Sequence, residues 1–183
     1  EERHVILNCE PFQGFETRSD VVVKTNETPA SGVELVFFGR LETRKGLDIF
    51  LRALRKLSDE DKETISGVTF LGKNVTLGKI DSFTHIMNQT KNLGLAVNII
   101  SDYDRTNANE YIKRKNVLVI MPSLVENSPY TVYECLVNNV NFLASNVGGI
   151  PELIPQEHHA EVLFTPTPVD LYGKIHYRLK NIN

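Results

Sequence analysis

The sequence predicts an α/β fold built around a doubly wound parallel sheet. From residue 33 onward, short β-branched or apolar runs alternate with segments of helical periodicity, which is the pattern of parallel strands joined by crossover helices. The alternation gives six strand–helix steps, enough for a doubly wound sheet. With 183 residues, 41% of them hydrophobic, the chain can build the core of one large domain.

Six short runs are predicted to form the strands, because each is rich in β-branched or apolar residues. They are residues 33–38, 68–71, 97–100, 117–121, 141–145 and 161–164. In a doubly wound sheet, ligands bind beyond the carboxyl ends of the strands. We therefore expect the functional site in the loops that follow these runs.

The helices are predicted from apolar residues that recur at steps of three and four. In the first helix these residues form a single stripe that can pack on the sheet, namely Leu47, Phe50, Leu51, Leu54 and Leu57. Further helices are expected near residues 79–93, 107–114, 128–139 and 168–181.

The first 30 residues lack the strand–helix alternation. Residues 24–32 are polar and contain Pro29 and Gly32, which is typical of a connector. We therefore predict that residues 1–30 link to a preceding N-terminal domain, and that residues 31–183 form the α/β domain.

The overall charge excludes several classes of partner. The formal net charge is −3, so the chain has no general attraction for nucleic acid or acidic membranes, and an anion site must be local. No apolar run reaches the roughly 20 residues of a membrane span, and the N-terminus does not look like a signal peptide. We therefore expect a cytoplasmic protein.

Cys9 and Cys135 are too few for a disulfide framework, and the five histidines show no metal-ligand spacing.

The first strand is followed by a loop that carries cations. It runs from Gly39 to Gly46 and includes Arg40 and Lys45, with Arg44 expected to face solvent. The start of a helix favours an anion, and a guanidinium and an ammonium beside it would hold a diphosphate. Taken alone, such cations are more often solvated loop charges.

A second group of residues follows the strand at 117–121. Ser128 is predicted as the N-cap of a helix and Pro129 as its first residue. The helix-start amides, from Tyr130 and Thr131, would then face the same strand ends as Arg40 and Lys45.

Glu126 precedes this helix and Glu134 lies in its second turn. A carboxylate accepts two hydrogen bonds side by side, which suits the vicinal diol of a sugar, although two such glutamates can also be surface charges.

These residues resemble the group 1 glycosyltransferases, retaining enzymes of the GT-B class, and specifically their C-terminal donor-binding domain. The resemblance extends from about residue 33 to residue 171. It rests on three motifs in the same order: Gly-Arg-x4-Lys-Gly after the first strand, Pro-Ser before a Glu-x7-Glu pair, and Val147-Gly148-Gly149-Ile150-Pro151-Glu152-Leu153-Ile154. It implies a Rossmann-like domain that forms one half of a GT-B architecture.

The resemblance also implies roles for particular residues. Arg40, with Gly39 beside it, and Lys45 would bind the donor diphosphate, and Glu126 would contact hydroxyls of the transferred sugar. Glu134 would hold the ribose hydroxyls, and the loop around Asp102 and Tyr103 would flank the base. Tyr130 and Thr131 would complete the phosphate site, and Gly148 and Gly149 would allow a tight approach of the backbone.

One departure from the family's commonest pattern follows the first glutamate. Many members have Gly-x-Gly after the first glutamate, where this chain has Asn127-Ser128-Pro129. Proline has no amide hydrogen, so residue 129 cannot donate to a phosphate.

The Asp102-Tyr103-Asp104 tripeptide suggests a rival site, because Asp-x-Asp chelates a divalent cation in the other main glycosyltransferase class. We favour a polar loop at Asp104 and Arg105, since the cationic loop can neutralise a diphosphate without metal. No metal and no separate cofactor are therefore expected.

The activity implied by the resemblance is transfer of a hexose, with retention, from a UDP-, GDP- or ADP-sugar. The acceptor, a glycan, lipid or small molecule, would be held by a separate N-terminal domain, so these residues alone would bind the donor but turn over poorly. A non-catalytic nucleotide-sugar-binding module and a sugar-nucleotide epimerase of the same fold remain as alternatives.

Overall fold

The structure is a computed structural model that describes residues 32–127 and 129–181. The linking segment predicted at residues 1–30, Cys9 and the N-cap predicted at Ser128 lie outside the described residues. The strands, in chain order, are β1 (Val33–Phe38), β2 (Ile65–Leu71), β3 (Thr76–Leu77), β4 (Ile80–Asp81), β5 (Val97–Ile100), β6 (Val117–Met121), β7 (Phe142–Ser145) and β8 (Leu163–Phe164).

The helices of the described residues lie between these strands or after the last one. They are α1 (Leu47–Leu54), α2 (Asp59–Glu63), α3 (Ser82–Thr90), α4 (Arg105–Ile112), α5 (Tyr130–Val137), α6 (Ile150–Leu153), α7 (His159–Val162) and α8 (Pro168–Lys180). Short 3-10 turns lie at Thr43–Lys45 and Gln156–His158.

Six strands form one parallel sheet in the order β5-β2-β1-β6-β7-β8, which confirms the predicted fold class. The chain winds outward from β1 in one direction through β2 and β5, and in the other through β6, β7 and β8. The order reverses at β1 and β6, and a doubly wound sheet opens a ligand crevice at such a point.

Both faces of the sheet are buried, as a parallel sheet requires. In β1, Leu35 and Phe37 pack in one hydrophobic cluster, whereas Val36, between them, packs in a second cluster on the other face. The stripe predicted in α1 lies in the first cluster, where the Phe37 and Phe50 rings have centroids 5.9 Å apart. Helix α5 covers the second cluster through Val132 and Cys135.

Burial makes Cys135 an inert thiol. The side chain is fully buried, and burial, with a smaller contribution from the neighbouring Glu134 charge, raises the pKa of the thiol well above its ordinary value.

Several predicted elements are corrected by the structure. Strand β2 begins three residues earlier than predicted, at Ile65, and the strand predicted at residues 161–164 is shortened to Leu163–Phe164, because α7 ends only at Val162. The helix predicted near residues 79–93 starts later, at Ser82, after the β3–β4 hairpin. Helix α5 begins at Tyr130 rather than Pro129, whose ψ of 68° is not helical.

No helix among residues 32–127 and 129–181 is both long and apolar enough to cross a membrane.

Candidate functional site

The loops at the carboxyl edge of the sheet bring the predicted site residues to one side of the molecule. All six strands are parallel, so the segments after β5, β2, β1, β6 and β7 emerge at the same edge. These segments carry Tyr103, Lys73, Arg40, Glu126 and Gly148 in that spatial order.

The loop after β1 is held in place by backbone hydrogen bonds to the β2 side. The Gly39 amide donates to the Leu71 carbonyl at 3.0 Å, and the Leu41 amide donates to the Lys73 carbonyl at 3.0 Å. The Leu41 side chain is fully buried, which anchors the loop in the core. Arg40 is therefore presented at the sheet edge by a fixed backbone.

The guanidinium groups of this loop share one carboxylate. Arg40 lies 3.1 Å from Glu42 and Arg44 lies 3.4 Å from the same oxygen, and both arginine side chains are at least half exposed. The exposure of Arg44 agrees with the prediction that it faces solvent. Exposed pairs of this kind are weak, so Arg40 can turn to an anionic ligand with little loss.

Lys45 and Glu126 form an ion pair between the loops after β1 and β6. The Lys45 ammonium contacts the Glu126 carboxylate, and their side chains are only 19% and 10% exposed. Ser123 donates a further hydrogen bond of 3.2 Å to the same carboxylate oxygen. The two residues assigned by resemblance to the diphosphate and to the sugar are thus direct neighbours.

Two glycines allow the site loops to approach each other closely. Gly46 has φ of +77°, and a Cβ at this position would lie 1.8 Å from the Pro122 carbonyl oxygen. Gly148 has φ of +52°, and its Cβ would lie 1.8 Å from the Glu126 carbonyl oxygen. The tight approach predicted at Gly148 and Gly149 is therefore made by Gly148 to the backbone of Glu126, and a Cβ on Gly149 would lie 3.2 Å from the Asn127 carbonyl oxygen.

A cavity of about 340 Å³ opens between the loops after β1, β2 and β5 and the helix α5. Four of the predicted residues line it: Gly39, Arg40, Tyr103 and Glu134. Tyr130 and Thr131 do not line it, although they form the first turn of α5, and Glu126 does not line it either. Lys45 lies beside it, because its Cγ is 3.9 Å from the position that a Cβ on Gly39 would take.

Glu134 is the buried carboxylate of this cavity. It is 9% exposed, and its Oε1 atom accepts a hydrogen bond of 2.6 Å from Nε of Arg105. Arg105 therefore does not lie in a polar loop as predicted. It is the first residue of α4 and reaches across the cavity to α5.

The aspartates of the rival metal motif have different surroundings. The Asp104 carboxylate caps α4 by accepting a hydrogen bond of 2.8 Å from the Asn107 amide, and Asp102 is exposed. Among residues 32–127 and 129–181, no cluster of three or more His, Cys, Asp or Glu side chains could hold a metal ion.

Sequence reasoning missed two cations that line the cavity. Lys73 is the second residue after β2 and Arg105 is the fifth residue after β5, so both belong to segments that follow strand ends. The rule that ligands bind beyond the carboxyl ends of strands singles out such positions. The side chains that surround them come from other segments of the chain, so the local sequence does not show that they line a cavity.

Comparisons with known proteins give the family. The family model for glycosyl transferases group 1 matches residues 22–182. No curated protein matches the chain.

Solved structures share the fold at low sequence identity. HepE from Anabaena, in complex with UDP, is 21% identical with a TM-score of 0.66 over 83% of this chain and 40% of that one. Sucrose-phosphate synthase from Thermosynechococcus elongatus is 19% identical with a TM-score of 0.68 over 84% and 37%. The C-terminal domain of the group 1 family protein LpcC from Francisella tularensis is 18% identical with a TM-score of 0.67 over 82% and 77%.

The present chain thus spans 40% of the HepE chain and 37% of the synthase, but most of the isolated LpcC domain. The sheet order, the residues gathered at its carboxyl edge and the family match over residues 22–182 agree with one another. The chain belongs to the group 1 glycosyl transferase family.

Proposed function

We propose that this chain is the donor-binding domain of a retaining glycosyltransferase that transfers a hexose from a nucleoside diphosphate sugar. The observation that carries the proposal is the cavity at the sheet edge, where Arg40, Tyr103 and Glu134 line one space next to the Lys45–Glu126 pair. An acceptor would be held by a second domain outside the described residues. The structures of HepE with UDP and with UDP-glucose give a precedent for the class of ligand.

The electrostatics of the cavity suit a diphosphate at its centre. Arg40 stands at the β1 loop, and Lys45 lies next to Gly39 on the same loop. As the bond between the sugar and the diphosphate breaks, negative charge grows on the leaving diphosphate, and fixed cations stabilise that charge. We assign this role to Arg40 and Lys45, with the start of α5 at Tyr130 and Thr131 as a further source of positive potential.

The two glutamates would recognise the two ends of the donor. Glu134 and Tyr103 line the same cavity, which suits a ribose next to a base. Glu126 lies on the loop after β6, beyond Lys45, which suits hydroxyls of the sugar past the diphosphate. Because Lys45 and Glu126 are paired, a diphosphate that attracts Lys45 would release Glu126 for those hydroxyls.

A thermal-shift panel of UDP, GDP and ADP, each with and without its hexose, tests the proposal in buffer containing EDTA. A ligand at 100 times its dissociation constant stabilises the fold by about 2.7 kcal/mol, which is a rise of roughly 5–10 °C in Tm for a domain of this size. We expect at least one nucleotide to give such a shift without metal. Loss of the shift in EDTA and its return with magnesium would instead favour a metal site at Asp102 and Asp104, and no shift with any ligand would refute the proposal.

Glu126→Ala should weaken binding of the nucleotide sugar but not of the bare nucleoside diphosphate. The substitution removes the proposed sugar contact and also frees Lys45 from its ion pair. We expect a loss of about tenfold for the nucleotide sugar, as for one charge-assisted hydrogen bond, and an unchanged or higher affinity for the diphosphate. Isothermal titration calorimetry with both ligands measures this, and Glu152→Ala, an exposed glutamate on α6, is the control. Equal losses for both ligands would contradict the assignment of Glu126 to the sugar.

A further inference from the structure

Arg105 is the only described side chain that hydrogen-bonds the Glu134 carboxylate. Its Nε atom donates to Glu134 Oε1 at 2.6 Å, while no bond from residues 32–127 or 129–181 reaches Oε2. The two side chains differ in environment, because that of Glu134 is largely buried whereas that of Arg105 is 66% exposed. Among the described residues, the arginine thus contacts one oxygen of the carboxylate and the other has no hydrogen bond.

The backbone that carries Arg105 is held firmly in place. Asp104 caps α4 through the Asn107 amide at 2.8 Å, and the Ala108 amide donates to the Asp104 carbonyl at 2.9 Å. Further along the helix, the Tyr111 hydroxyl donates to Glu34 of β1 at 2.5 Å. Arg105 therefore starts from a capped helix that is anchored to the centre of the sheet.

The same helix is joined to the loop expected to flank the base. The Tyr103 and Tyr111 rings meet edge to face with centroids 6.0 Å apart, and Tyr103 and Arg105 both line the cavity. Arg105 and Tyr103 are therefore placed at the same cavity by one helix and the loop that packs against it.

A buried carboxylate needs a partner of opposite charge, because removing it from water without one is strongly unfavourable. Arg105 supplies that partner before any ligand is bound. The bond to Oε1 also restricts the rotation of the Glu134 side chain, so Oε2 keeps one orientation. A ribose diol that binds this oxygen then meets a carboxylate whose conformational entropy has already been lost.

We propose that Arg105 is a positioning residue that orients the Glu134 carboxylate for the ribose hydroxyls of the donor. The proposal rests on the proposed function, since it takes Glu134 as the ribose-binding group. It differs from a competing role, in which Arg105 would occupy the place of the ribose and have to leave before binding. The two roles predict changes of opposite sign when the guanidinium is removed.

The experiment compares wild type, Arg105→Ala and Arg105→Lys by isothermal titration calorimetry. The probes are whichever of UDP, GDP and ADP binds the wild type best, and its 2′-deoxy form. We expect Arg105→Ala to weaken the ribonucleotide about tenfold, and Arg105→Lys to fall in between because lysine keeps the charge but not the fixed Nε donor. Lys113→Ala, at the end of α4, should leave the affinity unchanged, since its ion pair with Glu110 is exposed.

The 2′-deoxy form separates positioning from a general structural effect. In the wild type, the missing hydroxyl should weaken binding about tenfold; in Arg105→Ala the same change should weaken it about threefold or less, because Glu134 is no longer held. The proposal would be overturned if removing the 2′-hydroxyl weakened binding to Arg105→Ala as much as it weakens binding to the wild type. It would also be overturned if Arg105→Ala bound the ribonucleotide more tightly than the wild type does. Failure of the wild type to bind any of the three nucleotides would instead refute the proposed function.

Discussion

Gly46→Ala should lower the free energy of unfolding by about 2–5 kcal/mol, which is the sum of two effects. A non-glycine residue in the left-handed region destabilises the fold by roughly 1–2 kcal/mol, and forcing extra atoms into a packed site destabilises it by roughly 1–3 kcal/mol more. Gly46 has φ of +77°, and its Cβ would lie 1.8 Å from the carbonyl oxygen of Pro122. The backbone at Gly46 or at Pro122 must therefore move. This is the place where the loop that carries Lys45 contacts the loop that carries Glu126.

Gly94→Ala is the matched control for this substitution. Gly94 has nearly the same φ, +76°, but a Cβ there would meet no atom within 4 Å. Urea unfolding of both variants separates the cost of the conformation, which they share, from the cost of the close contact, which only Gly46 has. If both variants lost the same free energy of unfolding, the close contact with Pro122 would contribute nothing to the destabilisation. If the contact matters, Gly46→Ala should also weaken nucleotide binding, whereas Gly94→Ala should not.

Glu134→Gln should weaken every nucleotide that the domain binds by about ten- to hundredfold. The amide keeps the shape of the side chain but removes its charge and replaces one acceptor with a donor. Charge-assisted hydrogen bonds contribute about 1.5–3 kcal/mol, which sets this range. The structure adds a second reason for the loss, because the Arg105 guanidinium would face a neutral amide in place of a buried carboxylate.

Calorimetric titration with ribo and 2′-deoxy nucleotides tests this role of Glu134. The deoxy ligand should reproduce part of the loss on the wild type and add little on Glu134→Gln, because the two changes remove the same bond. Glu110→Gln, at an exposed position on α4, is the control and should not alter the affinity. Fully additive losses from the mutation and the deoxy ligand would contradict the pairing of Glu134 with the ribose.

Strong periodicity made most of the fold predictable from the sequence. The predicted bounds of β1, β5 and β6 are those observed, because each is a β-branched or apolar run whose residues are buried or partly buried in a parallel sheet. The elements that were missed are short. The β3–β4 hairpin has two residues per strand, and α6 and α7 have four residues each, too few for a period to emerge.

The elements that carry the site could be predicted, but its pairings could not. A loop after a strand that contains Arg40 and Lys45 is visible in the sequence, as is the Glu-x7-Glu spacing. The contacts of Lys45 with Glu126 and of Arg105 with Glu134 join segments 81 and 29 residues apart. Which partner a charged side chain meets depends on strand order and helix placement, and no local pattern encodes either.

The central position of β1 has a consequence for how the protein folds. β1 pairs with β2, which follows it closely, but also with β6, where Glu34 lies opposite Val117. The chain between β1 and β6 must close as a long loop before these strands can pair. Closing it costs conformational entropy before the pairing contributes any stability, and sheets built from distant pairings fold slowly. An intermediate that contains β1, β2 and β5 would already hold Arg40 and Tyr103, yet it would lack Glu126 and Glu134. A nucleotide that needs all four groups would therefore stabilise only chains in which β6 has docked, and adding it should slow unfolding without accelerating refolding.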